Sequence, residues 1–433
     1  MIKRLVTLYK RFQYDRLLSN SVYLMISTLV MSLTGFVFWI VNTRIYSPSQ
    51  IGLATTFISI TTLIISFSMA GLNISIVRFL PKSQNKNNLI NTVFCLIGIL
   101  TLIITCIFLV GIHFFSQPME SLLSSPIYVM LFIPFVLTAS LNMITDSVFI
   151  SYGKAVYIMT INIVMSFTKL AFAFLFAGIG VMGIISSFSL STIIAMLLSF
   201  VLLIKRCGYS ISLKIDKNEL EKTWKFSFGN YLSSILSSIT SLLTPILITS
   251  KLSPEITAYY YMPNMIVTLL LSVPRSTVAS LVAEGSREEE PLFKLALKSL
   301  MHVYAILLPA CLATLVLGKS VLSIFGKNYS DGGYTFLLML LFSVLISVPG
   351  YIIGATLSVN KKIKLQLILN LISALLSLAL NLLFLSRGLF GLGIAAIIYQ
   401  ILITALYLVV GVTQSNVIRM KFHNMFFRPQ ASI

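Results

Sequence analysis

Twelve stretches of this chain stay apolar for about the 20 residues that a helix needs to cross hydrocarbon. They run approximately over 19–42, 50–78, 89–112, 127–150, 156–177, 180–204, 227–249, 257–283, 298–318, 334–358, 364–385 and 389–411. Lipid offers the backbone no hydrogen-bond partner, so each stretch must satisfy its own peptide groups as a helix. The ten-residue alternation of a membrane barrel is absent from the sequence. Charged residues are only 10% of the 433, too few to solvate a globule of this size. The first stretch is too long for a cleaved leader, and Ile40–Arg44 offers no small-residue cleavage site. The expected fold is an all-α polytopic membrane protein with twelve transmembrane helices.

A formal net charge of +19 stands against this apolar background. Nucleic acid, anionic lipid, an anionic substrate or membrane topology would each account for it. Lys and Arg collect in cytoplasmic loops, and acids weigh little in that rule. With the N-terminus inside, residues 1–18 carry five basic residues, and the loop after the sixth span carries six. Alternate loops and the tail bring the inner total to twenty-four of 31. The other side holds Arg44, Lys251, Lys319, Lys327 and Arg387. Both termini are therefore expected in the cytoplasm of a plasma-membrane protein. Topology absorbs the basic excess, so nucleic acid is not an expected partner. Trp39 and Trp224 fall at interfacial depths.

The chain also repeats itself at a spacing of 206–210 residues. Asn20 of LSNSVYL matches Asn230 of SFGNYLS, and Ser47-Pro48 matches Ser253-Pro254. Gly153-Lys154 matches Asn360-Lys361, Ile161-Asn162 matches Leu369-Asn370, and Gly180 and Gly183 match Gly388 and Gly391. Six spans is an even number, so the halves are parallel repeats. The expected organisation is a cytoplasmic amphipathic segment (1–18), an N-lobe (19–204), a basic linker (205–226), a C-lobe (227–411) and a basic tail (412–433). In the linker, Asp216 and Glu219 have capping-box spacing, and Leu220, Trp224 and Phe228 would share one face of a short interfacial helix. Leu5, Leu8, Tyr9 and Phe12 share a face in the same way.

The segment NSVYLMISTLVMSLTGFVFWIVNTRIYSPSQIGLATTFISI, followed by GLNISIVRFLP, resembles the N-terminal region of Wzx-like oligosaccharide flippases. These belong to the multidrug/oligosaccharidyl-lipid/polysaccharide (MOP) exporter superfamily. The resemblance is strongest from Asn20 to Pro81 and looser over the rest. It implies a MATE-like V of two six-helix lobes and alternating access. It implies translocation of a polyprenyl- or dolichyl-linked oligosaccharide for surface polysaccharide or glycoprotein assembly. Pathway partners would be glycosyltransferases or a polymerase, and the chain is expected to act as a monomer. Peptidoglycan-precursor relatives usually carry two further C-terminal spans, which argues against that substrate.

Two cations are left once topology is satisfied: Lys169 in the fifth span and Arg275 in the eighth. A charge at a helix centre costs about 2.5–3.5 kcal/mol on insertion scales. Snorkelling or pairing with helix-end carbonyls is one explanation. A cationic cavity for a pyrophosphate or acidic sugar is the other, with Lys as a point charge and Arg as a bidentate donor. Arg78 is a third candidate, though topology explains it equally well. Arg44 fits the outer-loop pattern of the resemblance as a structural or gate residue. Asp146 is the one acid well inside a predicted span. It would pair with Lys154, cap its helix, or couple transport to H+ or Na+; Lys169 is about nine residues, or roughly 13 Å, too far along the axis. Asn73, Asn162 and Asn370 would either line a polar cavity or bond between helices. Pro245 and Pro274 are the expected hinges.

Other apparent motifs carry no chemistry. Gly178–Gly183 fits GxGxxG but joins two spans, and Ala313 replaces the first P-loop glycine before Gly318-Lys319-Ser320. The four Cys and three His form no cluster, so no metal or cofactor is expected. A multidrug exporter would place acids toward its cavity, where this interior is net basic. A membrane polymerase or ligase would need a catalytic cluster or a large outer loop. Neither explains the repeat together with the N-terminal pattern.

Overall fold

The computed structural model describes residues 16–115, 117–212, 215–286 and 291–414, and every regular element among them is helical. The expected amphipathic segment at 3–17 and the tail beyond 414 lie outside the described residues. So does the interfacial face drawn through the side chains of Leu220, Trp224 and Phe228. The helices are α1 (Arg16–Ile45), α2 (Pro48–Met69), α3 (Leu72–Phe79), α4 (Lys86–Phe115), α5 (Gln117–Leu123), α6 (Pro126–Ser151), α7 (Ala155–Leu175) and α8 (Val181–Cys207). They continue with α9 (Lys217–Lys251), α10 (Pro254–Leu270), α11 (Ser272–Gly285), α12 (Leu292–Phe325), α13 (Lys327–Val359), α14 (Ile363–Phe384) and α15 (Gly388–Gln414).

Eleven helical stretches among the described residues are long and apolar enough to cross a membrane. The last, Ile363–Thr413, contains α14 and α15, which pack on each other after a short 3-10 turn at Leu385–Arg387. The chain divides into two compact units, Met1–Ala258 and Tyr259–Ile433. In the first, α1 packs on α7, α7 and α6 pack on α8, α4 packs on α6, and α9 lies against α2, α3 and α4. One core there joins Leu72, Ile76, Leu89, Ile90, Val148, Phe149, Ile161 and Leu203. In the second, α13 packs on α12, α11 and α15. A smaller core there holds Leu281, Leu295, Ile352 and Ala355.

Helix boundaries follow local chemistry. Ser47 accepts from the Gln50 N–H while Gln50 accepts from the Ser47 N–H, a full capping box with Pro48 in the first turn. Ser253 accepts from the Ile256 N–H ahead of α10, where Pro254 fills the same place. Two predicted spans are broken helices. The second is interrupted between α2 and α3, where Ala70 (φ 45°) and Gly71 (φ 76°) are both left-handed. The eighth is interrupted at Leu271, and Pro274 occupies the first turn of α11, where a missing N–H costs nothing. Pro245, by contrast, lies inside an unbroken α9.

The repeat is visible in the backbone at a constant spacing of 208 residues. Gly153 (φ 64°) and Lys361 (φ 57°) are both left-handed, closing the α6–α7 and α13–α14 turns. The Lys154 N–H bonds the Phe149 carbonyl at 2.9 Å, and the Lys362 N–H bonds the Leu357 carbonyl at 3.0 Å. Gly180 (φ 70°, ψ −152°) and Gly388 (φ 64°, ψ −148°) share a conformation that only glycine adopts easily. The counterpart of Gly153 is therefore Lys361, one residue beyond the Asn360 suggested by the sequence.

After α8 the chain is pinned to α4. The Tyr209 hydroxyl and the Ser212 N–H both donate to Asn91 Oδ1, at 2.5 and 3.0 Å. Asn91 Nδ2 returns a bond to the Ser210 carbonyl, and the Asp216 N–H bonds Thr92. Burial pushes the Tyr209 phenol up to about 12, so it stays a donor at any physiological pH.

Candidate functional site

Lys169 sits on α7 with its ammonium over two rings, 5.2 Å from the centre of Phe38 on α1 and 4.8 Å from Phe188 on α8. The two rings meet edge to face at 5.0 Å, and Phe38 is fully buried. A cation held between two ring faces gains attraction that strengthens as water is excluded. Among the described residues its ammonium is placed over these rings rather than on a helix-end carbonyl.

Arg275 is exposed on α11, and its guanidinium has no bonding partner among the described residues. It shares a face with Ser272, Ser276, Ala279 and Ser280, all exposed, at helical spacing. An arginine turned outward within a membrane-length helical stretch needs water or an anion beside it. In the first unit, α9 exposes Ser234, Ser237 and Ser241 on one face. The run SSILSSITS carries that signal in its i, i+3, i+7 hydroxyls, which averaging of hydropathy hides.

Arg78 is exposed at the end of α3, 5.8 Å from the Phe79 ring centre. Arg44 is exposed in the last turn of α1. Asp146 lies within α6, and its Oδ1 is buried with no hydrogen-bond partner among the described residues. Lys154, its expected partner, instead gives its ammonium to the Arg206 carbonyl at 2.5 Å and sits 3.7 Å from the Cys207 sulfur. Lys154 lies past the end of α6, at the N-cap of α7, and its side chain reaches the end of α8 rather than back along its own hairpin.

The asparagines divide. Asn162 is buried and donates to Ser27 of α1 at 2.9 Å, so it ties helices together rather than lining open space. Asn162→Ala is expected to lower stability by about 1 kcal/mol, in the range of measured interhelical bonds in membranes. Thermal melting in detergent checks this. Asn73 is half-buried in the first turn of α3, and Asn370 is half-buried on α14. Asn20, prominent in the N-terminal pattern, caps α7 by accepting from the Ala155 N–H at 3.0 Å. Tyr46 donates to the Phe176 carbonyl at 2.8 Å, bracing the turn into α8.

Comparisons with known proteins agree with this architecture. The family model described as "Polysaccharide biosynthesis protein" matches residues 17–283. No curated protein matches by sequence. The fold is similar to that of an inward-facing multidrug resistance MATE transporter of the MOP superfamily (TM-score 0.71, 17% identity, 94% of this chain and 100% of that one). It is similar to the lipid II flippase MurJ in an inward closed conformation (TM-score 0.75, 14% identity, 91% and 88%). It is also similar to a MOP transporter from Pyrococcus furiosus described as having a binding pocket of reverse polarity (TM-score 0.67, 17% identity, 93% and 96%). The family match over more than half of the sequence makes this chain a member of the polysaccharide biosynthesis protein family.

Proposed function

We propose that this transporter moves a polyprenyl- or dolichyl-linked oligosaccharide across the plasma membrane by alternating access. It does so with twelve crossing segments, counting α14 and α15 separately, and with both termini in the cytoplasm. The observation that carries the reading is Arg275, a guanidinium exposed on a hydroxyl-rich face of α11, within the membrane-length helical stretch Pro254–Gly285. Its fork matches two phosphate oxygens, and the neighbouring serines match sugar hydroxyls. The serine face of α9 is suited to sugar in the same way. Lys169 acts as a fixed positive charge rather than as a direct ligand, because its ammonium already rests on Phe38 and Phe188.

The test uses purified protein in liposomes carrying a fluorescent polyprenyl-diphosphate chitobiose. Translocation faster than in protein-free liposomes is the expected result, and equal rates would sink the reading. Efflux of organic cations in place of this activity would favour the multidrug alternative.

Asp146 is the group we assign to coupling. A carboxylate oxygen buried without a bond is expensive unless a proton or cation visits it. Asp146→Asn is expected to leave downhill movement of the lipid intact and to remove its response to an imposed H+ or Na+ gradient. A gradient response equal to wild type would count against that role.

A further inference from the structure

The sequence leaves Thr56, Thr249 and Thr257 unremarked, yet their hydroxyls meet in one buried relay. Thr56 on α2 lies 2.5 Å from Thr249 on α9, and Thr249 lies 2.7 Å from Thr257 at the start of α10. Thr56 also reaches the Gly52 carbonyl at 2.8 Å. Each hydroxyl has one proton, so the relay can be drawn with every proton used once: Thr257 to Thr249, Thr249 to Thr56, Thr56 to Gly52. The three side chains are at most 1% exposed. Beneath them the backbones touch, since a Cβ on Gly52 would overlap the Pro254 carbonyl. This join pairs the first helix after Ser47-Pro48 with the helix that runs into the matching Ser253-Pro254. Farther along the same two helices, a single bond from the Tyr231 hydroxyl reaches the Phe67 carbonyl at 2.8 Å.

Small residues, close glycines and interhelical hydroxyl bonds all hold membrane helices together. A seam made of hydroxyls has one further property. When the seam parts, each hydroxyl passes from a threonine partner to water with little net change, whereas parted valines would expose apolar surface. Thr56 holds the Gly52 carbonyl throughout, and Thr257 has the Ser253 carbonyl at 3.2 Å as an alternative acceptor when it turns from Thr249, so neither is stranded. We propose that this Thr56–Thr249–Thr257 seam, seated on Gly52, is a reversible latch at the Ser47-Pro48 end of α2 that must part for the transported molecule to leave. The proposal rests on the alternating-access reading above.

The test takes the full chain with its four cysteines replaced by alanine. With Thr56→Cys and Thr249→Cys, mild oxidation in membranes is expected to form a disulfide, because the side chains already meet within bonding reach. That disulfide is expected to stop translocation of the polyprenyl-diphosphate chitobiose probe, and reductant to restore it. Separately, a Thr257→Cys reporter is expected to react about tenfold faster with a membrane-impermeant maleimide when Gly52→Val wedges the seam. Tyr231→Phe should leave that labelling unchanged. Failure to form the disulfide, equal labelling with and without Gly52→Val, or undiminished translocation by the cross-linked protein would each overturn the latch. If the reduced protein never moves the probe while cross-linking and labelling behave as expected, the substrate assignment fails and the seam stands.

Discussion

Arg275→Ala is expected to slow translocation of a diphosphate-linked oligosaccharide about 30-fold, the equivalent of losing ~2 kcal/mol of charge-assisted hydrogen bonding. Arg275→Glu should abolish it, since it places like charge beside the phosphates. Arg275→Lys should recover part of the rate, because a lysine keeps the charge but not the fork. The melting temperature in detergent should not move in any of the three. The side chain is exposed and has no bonding partner among the described residues, so removing it strands nothing. Flipping assays in liposomes, read beside thermal unfolding, separate the two effects. Wild-type rates in Arg275→Ala would remove the head-group role.

The largest stability effect is expected at Gly183. A Cβ there would run into the Phe176 carbonyl and the Tyr46 hydroxyl, the two groups whose bond braces the turn between α7 and α8. Backbone cannot yield as a flexible side chain can. Gly183→Val should therefore destabilise by about 3 kcal/mol or more through overpacking and the loss of that bond. The same change at Gly391 meets the Phe384 carbonyl, 208 residues on, and should behave alike. Gly35 is the contrast. An added Cβ finds nothing within 4 Å, so Gly35→Ala should stabilise by about 1 kcal/mol through helix propensity. Melting midpoints and purified yield distinguish the pair, and equal values would contradict the geometry.

Spans and turns were legible because their causes are local. Twenty apolar residues, Ser47-Pro48, the Gly178–Gly183 run and Pro274 each act through neighbours in the chain. The break at Ala70–Gly71 was not legible. It has no proline, and both residues are at home in an apolar helix, so only the left-handed backbone marks it. The candidate cations were found because charge in lipid is rare. What holds them was hidden: Lys169 meets rings from residues 38 and 188, and no spacing rule links those positions. The expected pairing of Asp146 with Lys154 failed for a related reason. Hairpin geometry gave the depth of the two groups but not the carbonyl at the end of α8 that Lys154 takes.

The bond between Ser27 and Asn162 joins residues 135 apart, and it carries a consequence for biosynthesis. A chain threaded into the bilayer from its N-terminus delivers α1 long before α7 exists. Until then Ser27 has no Asn162, and Phe38 has no lysine to cover. The first helix must wait, sheltered by the insertion machinery or by its own helix carbonyls, while five more elements emerge. Misassembly of a weakened variant should therefore appear first as an undocked α1, open to proteolysis from the membrane edge, rather than as a failure of the later hairpins to insert.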